Sequence, residues 1–168
     1  MESLWLPSAA LALSAIFFRA AASGFRNLPA LASAIDAYDV LRTGAGRYLA
    51  PLLALVELAT GLLLLLPSTR IAGAIAASVL LAGFGFAIAV NVVRGTTDFD
   101  CGCDGAHNLR PGAGVLARNL FILLASIVIA RSSAVPVDFS QCVVAAALLL
   151  AWHATNAMIA ALQWPRDD

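Results

Sequence analysis

The chain has no lysine, and its ten arginines are offset by ten Asp plus Glu, so the formal net charge is zero. Nucleic-acid binding draws on a dense Lys/Arg stripe that displaces counterions from phosphates. Scattered, balanced arginines cannot form one, which argues against a nucleic-acid partner. Cysteine is scarce as well, with three in 168 residues, too few for a disulfide-stapled scaffold. Charged residues make up only 12% of the chain, against ~25% in ordinary soluble domains. Met1-Glu2-Ser3 offers no basic n-region, so a cleaved signal peptide is not expected. Internal repeats and low-complexity linkers are absent from the sequence.

What the chain does have is hydrocarbon. Apolar residues account for 61% and the mean hydropathy is +0.90. A soluble domain of this size leaves too much of its surface wet to hide that much apolar area, which disfavours a soluble enzyme. A helix crosses a bilayer in roughly 20 apolar residues. Five stretches qualify: residues 4–24, 47–66, 71–93, 113–131 and 140–164. The fourth is the least regular, because Pro111, Gly112 and Gly114 blur its start and Arg118 lies within it. The expectation is an all-α, polytopic membrane helical bundle of four core helices plus a fifth transmembrane helix. Residues 1–168 then form a single integral membrane domain whose first partner is the lipid bilayer.

Pro67-Ser68-Thr69-Arg70 allows only a tight turn, so the second and third spans form a helical hairpin. Two longer connections fall together on the opposite face. The first places Leu28, Leu31, Ile35, Tyr38 and Leu41 at helical spacing, which predicts a short amphipathic helix at the membrane interface. The second carries the densest polar cluster of the chain, Asp98-Phe99-Asp100-Cys101-Gly102-Cys103-Asp104-Gly105-Ala106-His107.

Two thiols one residue apart have three readings. They can close a strained, easily reduced disulfide that exchanges electrons with a partner thiol. They can share a soft metal, with Cys101, Cys103 and His107 joined by Asp100 or Asp104. Or they can simply brace the loop. Local charge does not decide among these, since three Asp oppose Arg94, His107 and Arg110 around the thiols. Cys142 begins the fifth span on the other face and reads as a small packing residue.

Ionisable and amide groups within spans are candidates for function. Helical spacing puts Ala50, Ala54, Glu57 and Gly61 on one face, Ala12, Ala15, Arg19 and Ala22 on another, and Gly73, Ala76, Gly83, Ala87 and Asn91 on a third. Small residues mark helix–helix contacts in membranes, so Glu57 and Arg19 should face protein. Arg19, Asn91, Arg118 and Asn119 fall within about two turns of the cysteine-loop face, and Glu57 somewhat deeper. The expectation is a polar nest beneath the loop, with Glu57 paired to Arg19 or Arg118. Such a nest either fixes helix register or forms a proton or quinone site. His153, Asn156, Ala157 and Ala160 share a face of the fifth span and read as an interhelical hydrogen-bonding seam. Trp5 and Trp164 suit an interfacial belt, and Trp152 calls for no function.

Taken in order, Arg19, Phe25, Tyr38, Pro51, Glu57-x-x-x-Gly61, Arg94-Gly95, Asp100-Cys101-Gly102-Cys103 and Arg118-Asn119 resemble the MauE family of methylamine utilisation proteins. The resemblance covers roughly residues 10–130, and its most specific element is the Asp-Cys-Gly-Cys loop followed by Arg-Asn. The chain departs from the family pattern at Arg19, where Lys is usual, and at Asp104-Gly105, where an aromatic residue and Gly are usual. The family lies near DoxX-like membrane proteins and is distantly similar to the quinone-coupled vitamin K epoxide reductase bundle. The resemblance implies maturation of the disulfide-rich small subunit of methylamine dehydrogenase, together with a thioredoxin-like partner, MauD, on the periplasmic side of the bacterial cytoplasmic membrane. Set beside the reading of the residues, it gives the expectation that Cys101 and Cys103 are the exchanging pair of a thiol–disulfide oxidoreductase, with membrane quinone as electron acceptor, serving methylamine dehydrogenase or a related periplasmic protein. The rivals are a non-catalytic membrane chaperone or transport component and a metal-handling protein. An arginine count (Arg26, Arg42, Arg110 and Arg166 against Arg70 and Arg131) would put the loop face in the cytoplasm. Thiol oxidation puts it outside, and the chemistry is taken as the stronger vote.

Overall fold

The computed structural model describes residues 2–40, 44–97, 99, 109–131 and 139–163. The six helices it contains are α1 (Glu2–Arg26), α2 (Leu28–Ala37), α3 (Gly46–Leu65), α4 (Arg70–Arg94), α5 (Ala113–Ala130) and α6 (Phe139–Gln163), with no strand among the described residues. All but α2 are long and apolar enough to cross a membrane, so the chain is a multi-pass membrane protein. The expected spans agree with these helices to within a residue or two at most ends. Alternate crossings bring the α1–α3 connection, the α4–α5 loop and the end of α6 to one face of the bundle. The α3–α4 turn and the start of α6 lie on the other.

Packing follows the rule for lipid rather than water. Large side chains point outward: Val79, Phe121, Leu150 and Leu162 are all exposed. Small and short polar residues fill the interior, among them Ala10, Ser14, Ala50, Ala54, Thr60, Ala74, Ala77 and Ser126. With no hydrophobic drive between helices in a bilayer, close backbone approach and interhelical hydrogen bonds supply the association. Gly61 shows both. It lies against Phe18 of α1, and its carbonyl accepts from Ser14 Oγ at 2.8 Å. At the hairpin, Gly73 sits so close to the Leu63–Leu64 backbone that a Cβ would lie 2.6 Å from Leu64 N. Ser78 and Ser126 join α4 to α5 through their hydroxyls at 2.8 Å.

Two expected stripes are only partly right. On α1 the buried face runs through Ala10, Leu13, Ser14, Phe17 and Ala21, while Ala22 is exposed. On α4, Gly73 and Asn91 are buried, but Gly83 is exposed. Cys142 is exposed and free rather than packed; it begins a helix that meets the bundle mainly along α1.

Candidate functional site

The interfacial helix α2 starts where Asn27 caps it, its side chain accepting from the Ala30 amide at 3.2 Å, with Pro29 in the first turn. Leu31, Ala34, Ile35 and Tyr38 do not spread over a membrane surface. They roof a cavity of about 440 Å³ formed with α1, α3, α4, α5 and Trp152 of α6. Its walls are apolar (Leu13, Phe17, Leu53, Phe84, Ile122), and its charged or amide-bearing lining residues are Glu57, Arg118 and Asn119.

The expected nest is therefore divided among three places. Glu57 is 7% exposed and faces protein, as its stripe requires. The ion pair with arginine is not formed: Glu57 makes no hydrogen bond or salt bridge to a described residue. The physical reason is α6, which offers both guanidiniums other partners. Arg19 Nη1 lies 3.1 Å from His153 Nε2 and 3.3 Å from His153 Nδ1. Arg118 Nη1 donates to Asn156 Oδ1, and its guanidinium stacks on the Trp152 ring with 4.4 Å to the centroid. Rather than reach outward to headgroups, Arg118 turns into the bundle, where its buried Nε has no hydrogen-bond partner among the described residues. Asn119, nearly fully buried, crosses to α4 and donates to the Leu81 carbonyl at 2.8 Å, fitting over Gly85.

Asn91 belongs to a different device. Its Nδ2 donates to the Tyr38 carbonyl at 2.9 Å, while its Oδ1 accepts from Thr96 Oγ1 at 2.8 Å. One carboxamide thus joins the end of α2, the end of α4 and the start of the cysteine loop. Gly95 closes α4 in the left-handed region at φ +71°, with the Thr96 amide bonded back to the Asn91 carbonyl at 3.1 Å. Arg94 donates to the carbonyl of Asp39, which is itself left-handed at φ +47°. Tyr38 meets Phe99 edge-on at 5.0 Å. On the far side of the loop, Leu109 is buried with Ile88, Val115 and Ile159. The Arg110 backbone and the Gln163 side chain exchange two hydrogen bonds, at 3.0 and 2.9 Å. Both flanks of the loop are pinned to the bundle. Asn91→Leu is expected to destabilise the protein by about 1–3 kcal/mol, because it strips buried partners from two elements at once. Thermal unfolding in detergent measures it.

Cys101, Cys103 and His107, with Asp100 and Asp104, lie outside the described residues. Sequence reasoning found Glu57, Arg118 and Asn119 but gave Trp152 no task, and it treated His153 and Asn156 as a seam without naming what they bind. The signal available was their spacing on one face of α6. The partners could not be read from it.

The family model described as methylamine utilisation protein MauE matches residues 2–132. The methylamine utilization protein MauE of Paracoccus denitrificans is 33% identical over 141 residues, covering 82% of this chain and 75% of that protein. The protein of the same name from Methylophilus methylotrophus is 38% identical over 103 residues, or 59% of this chain and 52% of the relative, so the match spans about half that protein's length. No solved structure matches the chain. The matched region contains the cysteine pair and Arg19, Glu57, Asn91, Arg118 and Asn119, and it ends before α6.

Proposed function

Because the chain belongs to the MauE family of methylamine utilisation proteins, we propose that it serves maturation of methylamine dehydrogenase, or of a related periplasmic protein, as a thiol–disulfide oxidoreductase of the bacterial cytoplasmic membrane. Cys101 and Cys103 form the exchanging pair. A thioredoxin-like partner of the MauD kind is the electron donor, and the dehydrogenase small subunit is the protein whose disulfides are made. In each turn a partner thiolate attacks the Cys101–Cys103 disulfide, a mixed disulfide forms, and the partner's second thiol resolves it. The partner leaves oxidised, and the chain leaves as a dithiol holding two electrons and two protons. The loop faces the periplasm, where thiols are not held reduced.

Returning the pair to the disulfide requires an acceptor of two electrons and two protons, which a membrane quinone supplies when bound. The observation that supports this reading is the cavity directly beneath the loop's anchors. Its volume falls within the range of small-molecule sites, and apolar walls with a few polar groups are the usual lining. Arg118, whose buried Nε has no hydrogen-bond partner among the described residues, can donate to a carbonyl oxygen, while Glu57 can accept from a hydroxyl. A quinone and its quinol need both kinds of partner. Tyr38 roofs this cavity and touches Phe99, two residues before Cys101.

Thiol alkylation with a mass-shift readout on membranes tests the reading. The pair is expected to be mostly oxidised in quinone-replete membranes and to accumulate as dithiol when quinone is depleted. A pair that stays reduced and loses metal to a chelator makes this a metal-handling protein. A pair oxidised whatever the quinone level makes the loop a brace on a chaperone or transport component.

A further inference from the structure

The cavity reaches the outer, apolar surface of the bundle. Five of its lining residues are exposed: Val40, just past the end of α2, and, on the outer surface of the bundle, Leu52 and Val56 of α3 with Gly83 and Phe86 of α4. The last four lie near the middle of two helices whose outward faces are otherwise covered with large apolar side chains. α3 and α4 are held together at their turn, where Gly73 rests on the Leu63–Leu64 backbone, and the cavity lies between their loop-side halves. Gly83 marks the gap: a Cβ built there meets no atom within 4 Å. On the water side, α2 and Tyr38 cover the cavity, and Asn91 and Arg94 tie the end of α2 to α4.

We infer that the cavity is loaded sideways from the hydrocarbon of the bilayer, through an opening between α3 and α4 at Gly83, by the ring of a lipid-soluble quinone. The inference rests on the proposed function for the identity of the ligand. The route and the residues are its own content. The tail stays in lipid past Leu52, Val56 and Phe86, while the ring passes Gly83 toward Glu57, Asn119 and Arg118. A ligand arriving from the loop side meets α2 and Tyr38, whereas one arriving from the hydrocarbon meets the open space at Gly83. The small residue at the opening keeps the gate wide, and the covering helix keeps bulk water from the dithiol's electron acceptor.

The test is binding, independent of turnover. Full-length protein carrying Trp5→Phe and Trp164→Phe leaves Trp152, which lines the cavity, as the only tryptophan. In nanodiscs, decylubiquinone is expected to quench its fluorescence saturably. Gly83→Ala should leave the affinity within about twofold, Gly83→Leu should weaken it, and Gly83→Phe should weaken it at least tenfold. Val79→Phe, on the exposed face of the same helix, should leave it unchanged. Equal affinity across the Gly83 series, or quenching that never saturates, overturns the inference. The graded series keeps the result readable if the Phe variant folds poorly. Repeating the titration with Cys101→Ser/Cys103→Ser separates the two ideas. That variant should keep Gly83-sensitive binding, because the site contains neither thiol. If it does while the wild-type cysteines fail to cycle in the alkylation assay, the relay is wrong and the site stands. Thiol cycling without such binding does the reverse.

Discussion

Cells carrying Cys101→Ser or Cys103→Ser are expected to lose formation of active methylamine dehydrogenase completely, although the membrane bundle itself remains folded. Serine has no accessible anion at neutral pH and cannot form the mixed disulfide through which exchange proceeds. With one thiol left, the chain cannot form an internal disulfide, so a partner thiolate has no disulfide to attack. The order of attack is read instead with the intact pair and a thioredoxin-like partner lacking its second cysteine: the partner thiolate breaks the Cys101–Cys103 bond, releases one sulfur as a thiol and stays on the other as a reductant-sensitive adduct on a non-reducing gel. Peptide mapping of that adduct names the attacked cysteine. His107→Ala separates this from metal binding. It should leave the thiol cycle intact under the relay, whereas a site built from Cys101, Cys103 and His107 loses metal with any of the three. If both single Ser variants support full dehydrogenase assembly, the cysteines do no exchange and only a brace is left.

Span number, span boundaries and the inward face of Glu57 were legible in the sequence because they depend on strong, local signals. Eighteen or more apolar residues in a row admit few structures, and an alanine–glycine stripe around a carboxylate admits one orientation. The hairpin turn at Pro67 was legible for the same reason. The faces of α1 and α4 were less so. Both helices are rich in Ala and Gly nearly all round, and a stripe of small residues then loses its contrast. Ala22 and Gly83 were assigned to helix contacts and proved exposed.

The missing ion pair shows where single-chain patterning fails for a physical reason. Glu57, Arg19 and Arg118 stand at compatible depths, and opposite charges in low dielectric attract strongly. Yet which partner a guanidinium takes depends on every acceptor within its reach, including those on a helix far along the chain. His153 and Asn156 each sit one helix crossing away from an arginine, and Trp152 offers an aromatic face besides. Taking both cations, α6 leaves the carboxyl of Glu57 to the cavity. That division turns a register-fixing pair into a pocket with a donor and an acceptor in its wall. The residues were identified from sequence, and their arrangement required the fold.

Gly46→Val should be the most damaging single substitution outside the cysteine loop, because the clash it creates is with backbone. A Cβ at Gly46 would lie 2.1 Å from the Ala32 carbonyl oxygen and 2.9 Å from its carbon. Neither atom can rotate away, so α2 has to lift from α3. The same movement pulls the Gly46 amide from Asp36 Oδ1, now at 2.9 Å. Overpacking against adaptable side chains costs ~1–3 kcal/mol. Here the cost should reach about 3 kcal/mol or more, read as a lower midpoint of thermal unfolding in detergent. Asp36→Ala removes the hydrogen bond without the clash and should cost only about 1 kcal/mol, so the difference measures the steric part. Function should follow the roof. With α2 displaced, Leu31, Ile35 and Tyr38 no longer cover the cavity, and Phe99 loses the ring it rests on. Decylubiquinone affinity should therefore fall in Gly46→Val even at temperatures where the protein stays folded, and stay near wild type in Asp36→Ala. If affinity is unchanged while stability drops, α2 is only a strut and the cavity needs no cover.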